Sequence, residues 1–247
     1  MIKTNYETKE IEIVSSKTLD KIFDQPCVDA LVRCETTDKY VYEEIFKKNT
    51  YRKLDIQSND VVLDLGLNIG AFTLYAIKSK ASEVYSYEPC PENFAFAKHN
   101  IGLNFPICLY EENLFNKAVV GNNDKIRPFS INVKRNKGGH SLVAKKGRDT
   151  INVECENFND ILKDKKPDII KMDIEGGEYE LLTNVDHELL KGVRELILEF
   201  HHAHLNDIES RSKYREVINI LKKCFYFVNY KEETKKAWVT IVHCKQW

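Results

Sequence analysis

The run Val61-Val62-Leu63-Asp64-Leu65 passes directly into Gly66-Leu67-Asn68-Ile69-Gly70 and then into helix-forming sequence over 71–79. A short apolar run, a glycine-bracketed turn and a helix in succession make a strand–turn–helix corner. Glycine admits positive φ and close backbone approach, and the helix presents unpaired N–H groups at its start. In an open α/β sheet such a corner lies at the carboxyl ends of the strands, where ligands bind. The spacing is Gly-x-Asn-x-Gly rather than the Gly-x-Gly-x-x-Gly of a dinucleotide loop, because Asn68 and Ala71 replace glycines. A carboxylate at Asp64 suits a ligand bearing an amino group or a sulfonium better than a pyrophosphate. A plain structural corner accounts for the segment equally well when it is read alone.

The sequence after this corner continues the alternation. Strands are expected at 83–87, 107–110, 117–120, 168–172 and 195–200, with helices over 91–104, 178–185 and 208–223. Pro91 suits the first turn of its helix. The alternation implies one α/β domain with a mostly parallel sheet and helices on both faces. Residues 1–58 read as an N-terminal cap with a helix near 40–48, and 59–247 as the core. The irregular stretch 121–156 holds hairpin strands near 126–133 and 151–155. The chain closes with runs at 225–230 and 238–243 around a charged turn at 231–236, the pattern of a C-terminal antiparallel hairpin.

Composition narrows the class. The 247 residues are 43% hydrophobic and 30% charged, as in a folded globular chain, with a formal net charge of −1. That balance gives no global attraction to a polyanion, so a nucleic-acid partner is not expected. No apolar run approaches the roughly 20 residues that span a bilayer, and the first residues lack a secretory pattern. The cysteines at 27, 34, 90, 108, 155, 224 and 244 are odd in number and form no Cys-x-x-Cys. They read as small buried hydrophobes in a reducing, cytoplasmic setting.

Glu88 ends the second strand of the core, at the separation from the first loop where an acidic residue binds ribose hydroxyls. Its alternative is a carboxylate capping the following helix. Four blocks then decide the reading: Asp64–Gly70, Tyr87-Glu88-Pro89-Cys90-Pro91-Glu92-Asn93, Asn116-Lys117-Ala118 and Ile170-Lys171-Met172-Asp173-Ile174-Glu175-Gly176-Gly177-Glu178. In this order they resemble the signature blocks of FkbM-type methyltransferases, over roughly residues 50–205. The Lys-x-Asp-x-Glu-Gly-x-Glu block is the most specific. Leu67 and Gly177 stand where that family often has Ala.

The resemblance implies a Rossmann-like class I methyltransferase fold, S-adenosylmethionine as methyl donor, and a hydroxyl acceptor on a sugar, glycan or related small metabolite. On that reading Asp64, Gly66, Asn68, Gly70 and Glu88 hold the cofactor. Glu112, Asn116 and Ala118 are further candidates beside the adenine.

Transfer to an alcohol needs alignment and proton removal. Lys171 and Asp173 share one strand face, and Glu175 follows as the strand opens. Asp173 at this strand end is the first candidate, to organise the acceptor or act as base. The alternative pairs it with Lys171 inside the sheet. Glu175 and Glu178 could instead favour the start of the next helix, the preferred reading for Glu178. Glu199 and His201 repeat the two-residue spacing on the next strand. His201 is the second candidate base, while a satisfied surface histidine explains it as well; His202 and His204 lie beyond it. Asp173, Glu199 and His201 could also hold a divalent cation, although no tight spacing motif favours one. Gly138-Gly139-His140-Ser141-Leu142 reads as a substrate loop or as a simple turn. The basic residues Lys134, Arg135, Lys137, Lys145, Lys146 and Arg148 read as a solvated face. The rival functions are a nicotinamide-dependent oxidoreductase, and a nucleic-acid-modifying or non-catalytic nucleoside-binding module.

Overall fold

The computed structural model describes residues 10–15, 28–132, 139–143, 147–201, 208–230 and 239–246. Cys27, Lys134, Arg135, Lys137, Gly138, Lys145, Lys146, His202, His204 and the turn at 231–236 lie outside the described residues.

The central sheet has seven strands. In chain order they are β3 (Val61–Leu65), β4 (Glu83–Tyr87), β5 (Leu114–Phe115), β9 (Ile169–Met172), β10 (Glu195–His201), β11 (Phe227–Tyr230) and β12 (Val239–Lys245). Their spatial order is β11-β12-β10-β9-β3-β4-β5. Strands β3, β4, β5, β9 and β10 pair in parallel, whereas β12 runs antiparallel to both β10 and β11. The mostly parallel sheet and the closing antiparallel hairpin are therefore both present.

The period of two within each strand divides the core. Leu63, Leu65, Ile170, Met172, Leu196, Leu198 and Phe200 face a cluster with α4 (Phe158–Lys165), α5 (Glu178–Asn184), α6 (His187–Lys191) and α7 (Ile208–Cys224). Val62, Val84, Ile169 and Ile197 face the opposite cluster with α1 (Asp38–Phe46), α2 (Ala71–Lys78) and α3 (Pro91–Asn104). Helix α2 buries every residue from Ala71 to Ile77, because the sheet covers one side and the cap the other.

The N-terminal cap adds the hairpin β1 (Ile11–Ser15) and β2 (Asp29–Arg33), which sequence periodicity did not suggest. Arg33 ties it down. Its guanidinium grips Asp38 at 2.7 and 2.9 Å, reaches Glu92 at 2.9 Å and donates to Asn93 at 2.8 Å. Asn100 of α3 accepts from Leu31 N at 2.7 Å and donates to Ile69 O at 2.8 Å. The cap, α3 and the glycine-bracketed loop thus share one polar network, which fixes α1 above the strand ends.

One local expectation is corrected. Residues Ile107–Leu109 form a tight 3-10 turn, not a strand, because Pro106 and the exposed Leu109 leave no face to bury. The strand β6 (Ala118–Val120) leaves the main sheet and pairs with β8 (Asp149–Asn157), which also pairs antiparallel with β7 (Ile126–Ile131). Among the described cysteines, Cys90, Cys155, Cys224 and Cys244 are buried and Cys34 is partly buried. Cys108 is exposed, and all of them are free thiols. Among the described residues no helix is long and apolar enough to cross a membrane.

Candidate active site

A cavity of about 250 Å³ opens at the carboxyl ends of β3, β4, β9 and β10. Its floor includes Leu65, Gly66, Asn68, Tyr87 and Glu88; Asp173, Ile174, Glu175, Glu199 and His201 form one end. Helix α1 and its N-cap contribute Thr37, Tyr40, Val41 and Glu44, and the chain around β6 and β7 contributes Lys117, Ala118, Val119 and Phe129. His140 and Leu142 complete the wall.

Gly66 has φ +89°, and a Cβ there would fall 1.8 Å from the carbonyl oxygen of Asp173. Only glycine lets the end of β9 approach this closely. Asn68, at φ +52°, donates its backbone N–H to Glu88 Oε2 at 2.8 Å. Cys90 N donates to Glu88 Oε1 at 2.9 Å. Burial pushes the Glu88 carboxyl up to about 7, against the pull of these two N–H groups and of Lys171. Each carboxylate oxygen has one lone pair left after its backbone bond, so the pair can still accept two hydroxyls. Beside it, Asn68 Oδ1 is buried without a hydrogen-bond partner among the described residues. An unmet acceptor next to a two-pronged carboxylate fits a ligand with ribose-type donors.

Four expected cofactor residues stand behind the cavity rather than in its wall. Asp64 has no exposed surface. Its carboxylate pairs with Lys171 Nζ at 3.1 Å across the β3–β9 ladder and accepts from Thr73 Oγ1 at 2.8 Å. It therefore holds the sheet and α2 together from behind the cavity wall. Gly70, with φ +87°, starts α2, and a Cβ there would meet Ala97 Cα of α3 at 3.2 Å. Asn116 donates to the Glu88 carbonyl at 2.7 Å and so supports the turn that carries Glu88. Glu112 is exposed in the turn Glu111–Asn113 and lies outside the cavity wall, because β5 is only two residues long and the chain turns away before it.

At the other end, Lys171 is buried and donates to Gly66 O at 2.7 Å. Burial would lower its pKa, but Asp64 and then Asp173 outweigh this and raise it. Lys171 thus pairs across strands with Asp64 rather than only along its own strand with Asp173. Burial, then Asp173 and Glu44, push the Glu199 carboxyl up to about 7. Tyr51 donates to Glu199 at 3.3 Å. His201 Nε2 stands 3.8 Å from both Asp173 Oδ1 and Glu175 Oε1, and its Nδ1 stands 3.0 Å from Glu178 Oε1. Burial would depress this imidazole, yet Glu178 and then Asp173 and Glu175 carry it up to about 10. The surrounding carboxylates thus favour the protonated ring at His201. Ligand atoms of Asp173, Glu199 and His201 all lie within 4.8 Å of one another, close enough to share a cation.

Two features escaped the sequence reading. Glu178 has no exposed surface and accepts from Ile174 N at 3.1 Å and from Gly176 N at 3.0 Å. It closes the β9–α5 turn as well as beginning a helix. The α1 residues of the wall went unnamed, although the spacing of Thr37, Tyr40, Val41 and Glu44 marks one helical face.

A family model described as the methyltransferase FkbM domain matches residues 64–228, which contain both ends of this cavity. The chain belongs to the FkbM methyltransferase family. Methyltransferase sdnD of Sordaria araneosa is 27% identical over 191 residues, covering 65% of this chain and 74% of that protein. Methyltransferase 1 of Beauveria bassiana is 25% identical over 169 residues, covering 61% and 68%. The 31-O-demethyl-FK506 methyltransferase FkbM of Streptomyces tacrolimicus is 35% identical over 65 residues, a quarter of each chain. For an FkbM methyltransferase the cavity has a direct reading. The sheet order is that of the class I methyltransferase fold, with the cavity at the strand ends where the fold binds its ligands.

Proposed function

We propose that this FkbM methyltransferase transfers a methyl group from S-adenosylmethionine to a hydroxyl of a sugar, glycan or related small metabolite. The observation that carries this reading is the continuity of one cavity from Glu88 and Asn68 to Asp173, Glu175, Glu199 and His201. A ribose-binding carboxylate and a carboxylate–imidazolium cluster share its walls.

Glu88 and Asn68 would hold the ribose, with Gly66 allowing the close approach and Ala118, Val119 and Phe129 giving apolar walls to the adenine. The bound donor supplies a methyl group on a positively charged sulfur. At the far end, carboxylates suit a hydroxylated acceptor because they accept O–H donors. As the C–O bond forms, the donor's S–CH3 bond breaks and its sulfur leaves as a neutral thioether, while Asp173 would take the acidified acceptor proton. His201, whose protonated form the neighbouring carboxylates favour, would serve as a charged partner to Asp173 and Glu175. The name of the Streptomyces tacrolimicus relative also points to an oxygen acceptor. A small-molecule acceptor fits a cavity of this size better than a nucleic acid does, and the family assignment leaves a nicotinamide reading without support.

The test is a screen with donor labelled at the methyl carbon against sugars, glycans and hydroxylated metabolites. A methoxy product supports the reading. Transfer confined to nitrogen or carbon acceptors contradicts it.

A further inference from the structure

Glu178 makes hydrogen bonds to Ile174, Gly176 and His201, yet it lies outside the cavity wall. It is the first residue of α5 and has no exposed surface. Its Oε1 meets Ile174 N at 3.1 Å and His201 Nδ1 at 3.0 Å, and its Oε2 meets Gly176 N at 3.0 Å. A helix start explains only part of this. Charge placed near a helix N-terminus needs no contact with a histidine on another strand, and it needs no full burial.

The contact decides how the imidazole is presented. A carboxylate accepts, so Nδ1 must carry the hydrogen, whichever state Nε2 is in. With Nδ1 held from behind, Nε2 turns to the cavity, 3.8 Å from Asp173 Oδ1 and 3.8 Å from Glu175 Oε1. Both distances exceed a hydrogen bond, leaving space between them for an acceptor oxygen. The same carboxylate fixes the backbone of Ile174 and Gly176, on either side of Glu175. One buried group therefore sets the ring of His201 and the turn that carries Glu175. A carboxylate behind a histidine fixes the tautomer and orientation of active-site imidazoles in general.

We propose that Glu178 is a positioning residue, which locks the Nδ1–H form of His201 and aims Nε2 at the acceptor hydroxyl between Asp173 and Glu175. This rests on the methyl-transfer reading for the acceptor, but not for the ring orientation. No bond to Glu178 forms or breaks in the reaction.

Nitrogen-15 NMR of the histidine side chains, with His201→Asn to assign its signal, reads the ring directly. The wild-type protein should show a protonated Nδ1 at His201. In Glu178→Gln the carboxylate is lost and that signature should change, with Glu178→Asp restoring it in part. With an acceptor in hand, Glu178→Gln should lower kcat by about 100-fold, the scale of a misplaced reacting group. Donor affinity measured by calorimetry should stay within a few-fold of wild type. An unprotonated Nδ1 in the wild-type protein overturns the proposal, even where Glu178→Gln does not fold. Unchanged kcat, or loss of donor binding in step with kcat, also overturns it. Failure of the wild-type protein to bind S-adenosylmethionine while Nδ1 is protonated would count against the methyl-transfer reading alone.

Discussion

Asp64 and Lys171 face each other across neighbouring parallel strands, with Oδ1 and Nζ 3.1 Å apart and both side chains almost wholly out of solvent. The pair joins the first and the last of the four signature blocks. It lies beneath Gly66, whose carbonyl Lys171 also holds at 2.7 Å.

Asp64→Asn would leave the ammonium of Lys171 buried without its nearest counter-charge. Breaking such a pair costs about 3–5 kcal/mol. Chemical denaturation should show a loss of that order. Donor affinity of the folded fraction should fall far less than in Glu88→Ala, since Asp64 does not line the cavity. A stable Asp64→Asn protein with abolished donor binding would instead make Asp64 a direct ligand.

Glu88 gives a pH dependence with a defined sign. Its folded pKa, about 7, lies above the ordinary carboxylate value, so the folded state binds the proton more tightly than the unfolded one. Without donor, its contribution favours the folded state below about pH 4.5 and is lost as pH rises toward 7. Ribose hydroxyls need the ionised form as acceptor, so donor affinity should strengthen between pH 6 and 8. Calorimetry at the two pH values checks this. Glu88→Gln should bind roughly tenfold or more weakly, given the strength of hydrogen bonds to charged groups, and should lose the pH dependence.

Arg33 predicts a local effect on the cap. Its guanidinium is buried against Asp38, Glu92 and Asn93. Arg33→Met should cost about 3–5 kcal/mol by leaving Asp38 buried and unpaired. Hydrogen exchange should quicken most in β2 and α1, and least in β3 and β9. Uniform loss of protection across the sheet would show that the cap and core unfold as one.

How much of this was legible in the sequence depended on range. The corner from Val61 to Gly70, Glu88 at a strand end and helix α3 over 91–104 follow from local pattern, and the structure places them there. The partner of Asp64 was not legible, since it depends on the register of β3 against β9, 107 residues away in sequence. Glu112 lies outside the cavity wall because β5 spans only two residues and the turn before it is exposed. The state of His201 could not be read from its own neighbours, because the group that most raises its pKa, Glu178, sits 23 positions earlier on a different element.

Metal dependence separates two accounts of the acidic end. Lys171 and His201 already supply positive charge to Asp64, Asp173 and Glu175. Methyl transfer should therefore survive treatment with EDTA. Loss of activity restored by magnesium or manganese would place a cation between Asp173, Glu199 and His201 instead.

In the proposed reaction one cavity brings a methyl donor held by Glu88 to a hydroxyl held at Asp173. Its most direct test is transfer from carbon-13-methyl S-adenosylmethionine, read by NMR of the product, in wild type and Asp173→Asn. The account predicts a methoxy carbon signal with the wild-type protein. With Asp173→Asn it predicts retained donor binding and a rate lower by about 100-fold or more. A labelled methyl on nitrogen or carbon, or full activity of Asp173→Asn, would contradict it.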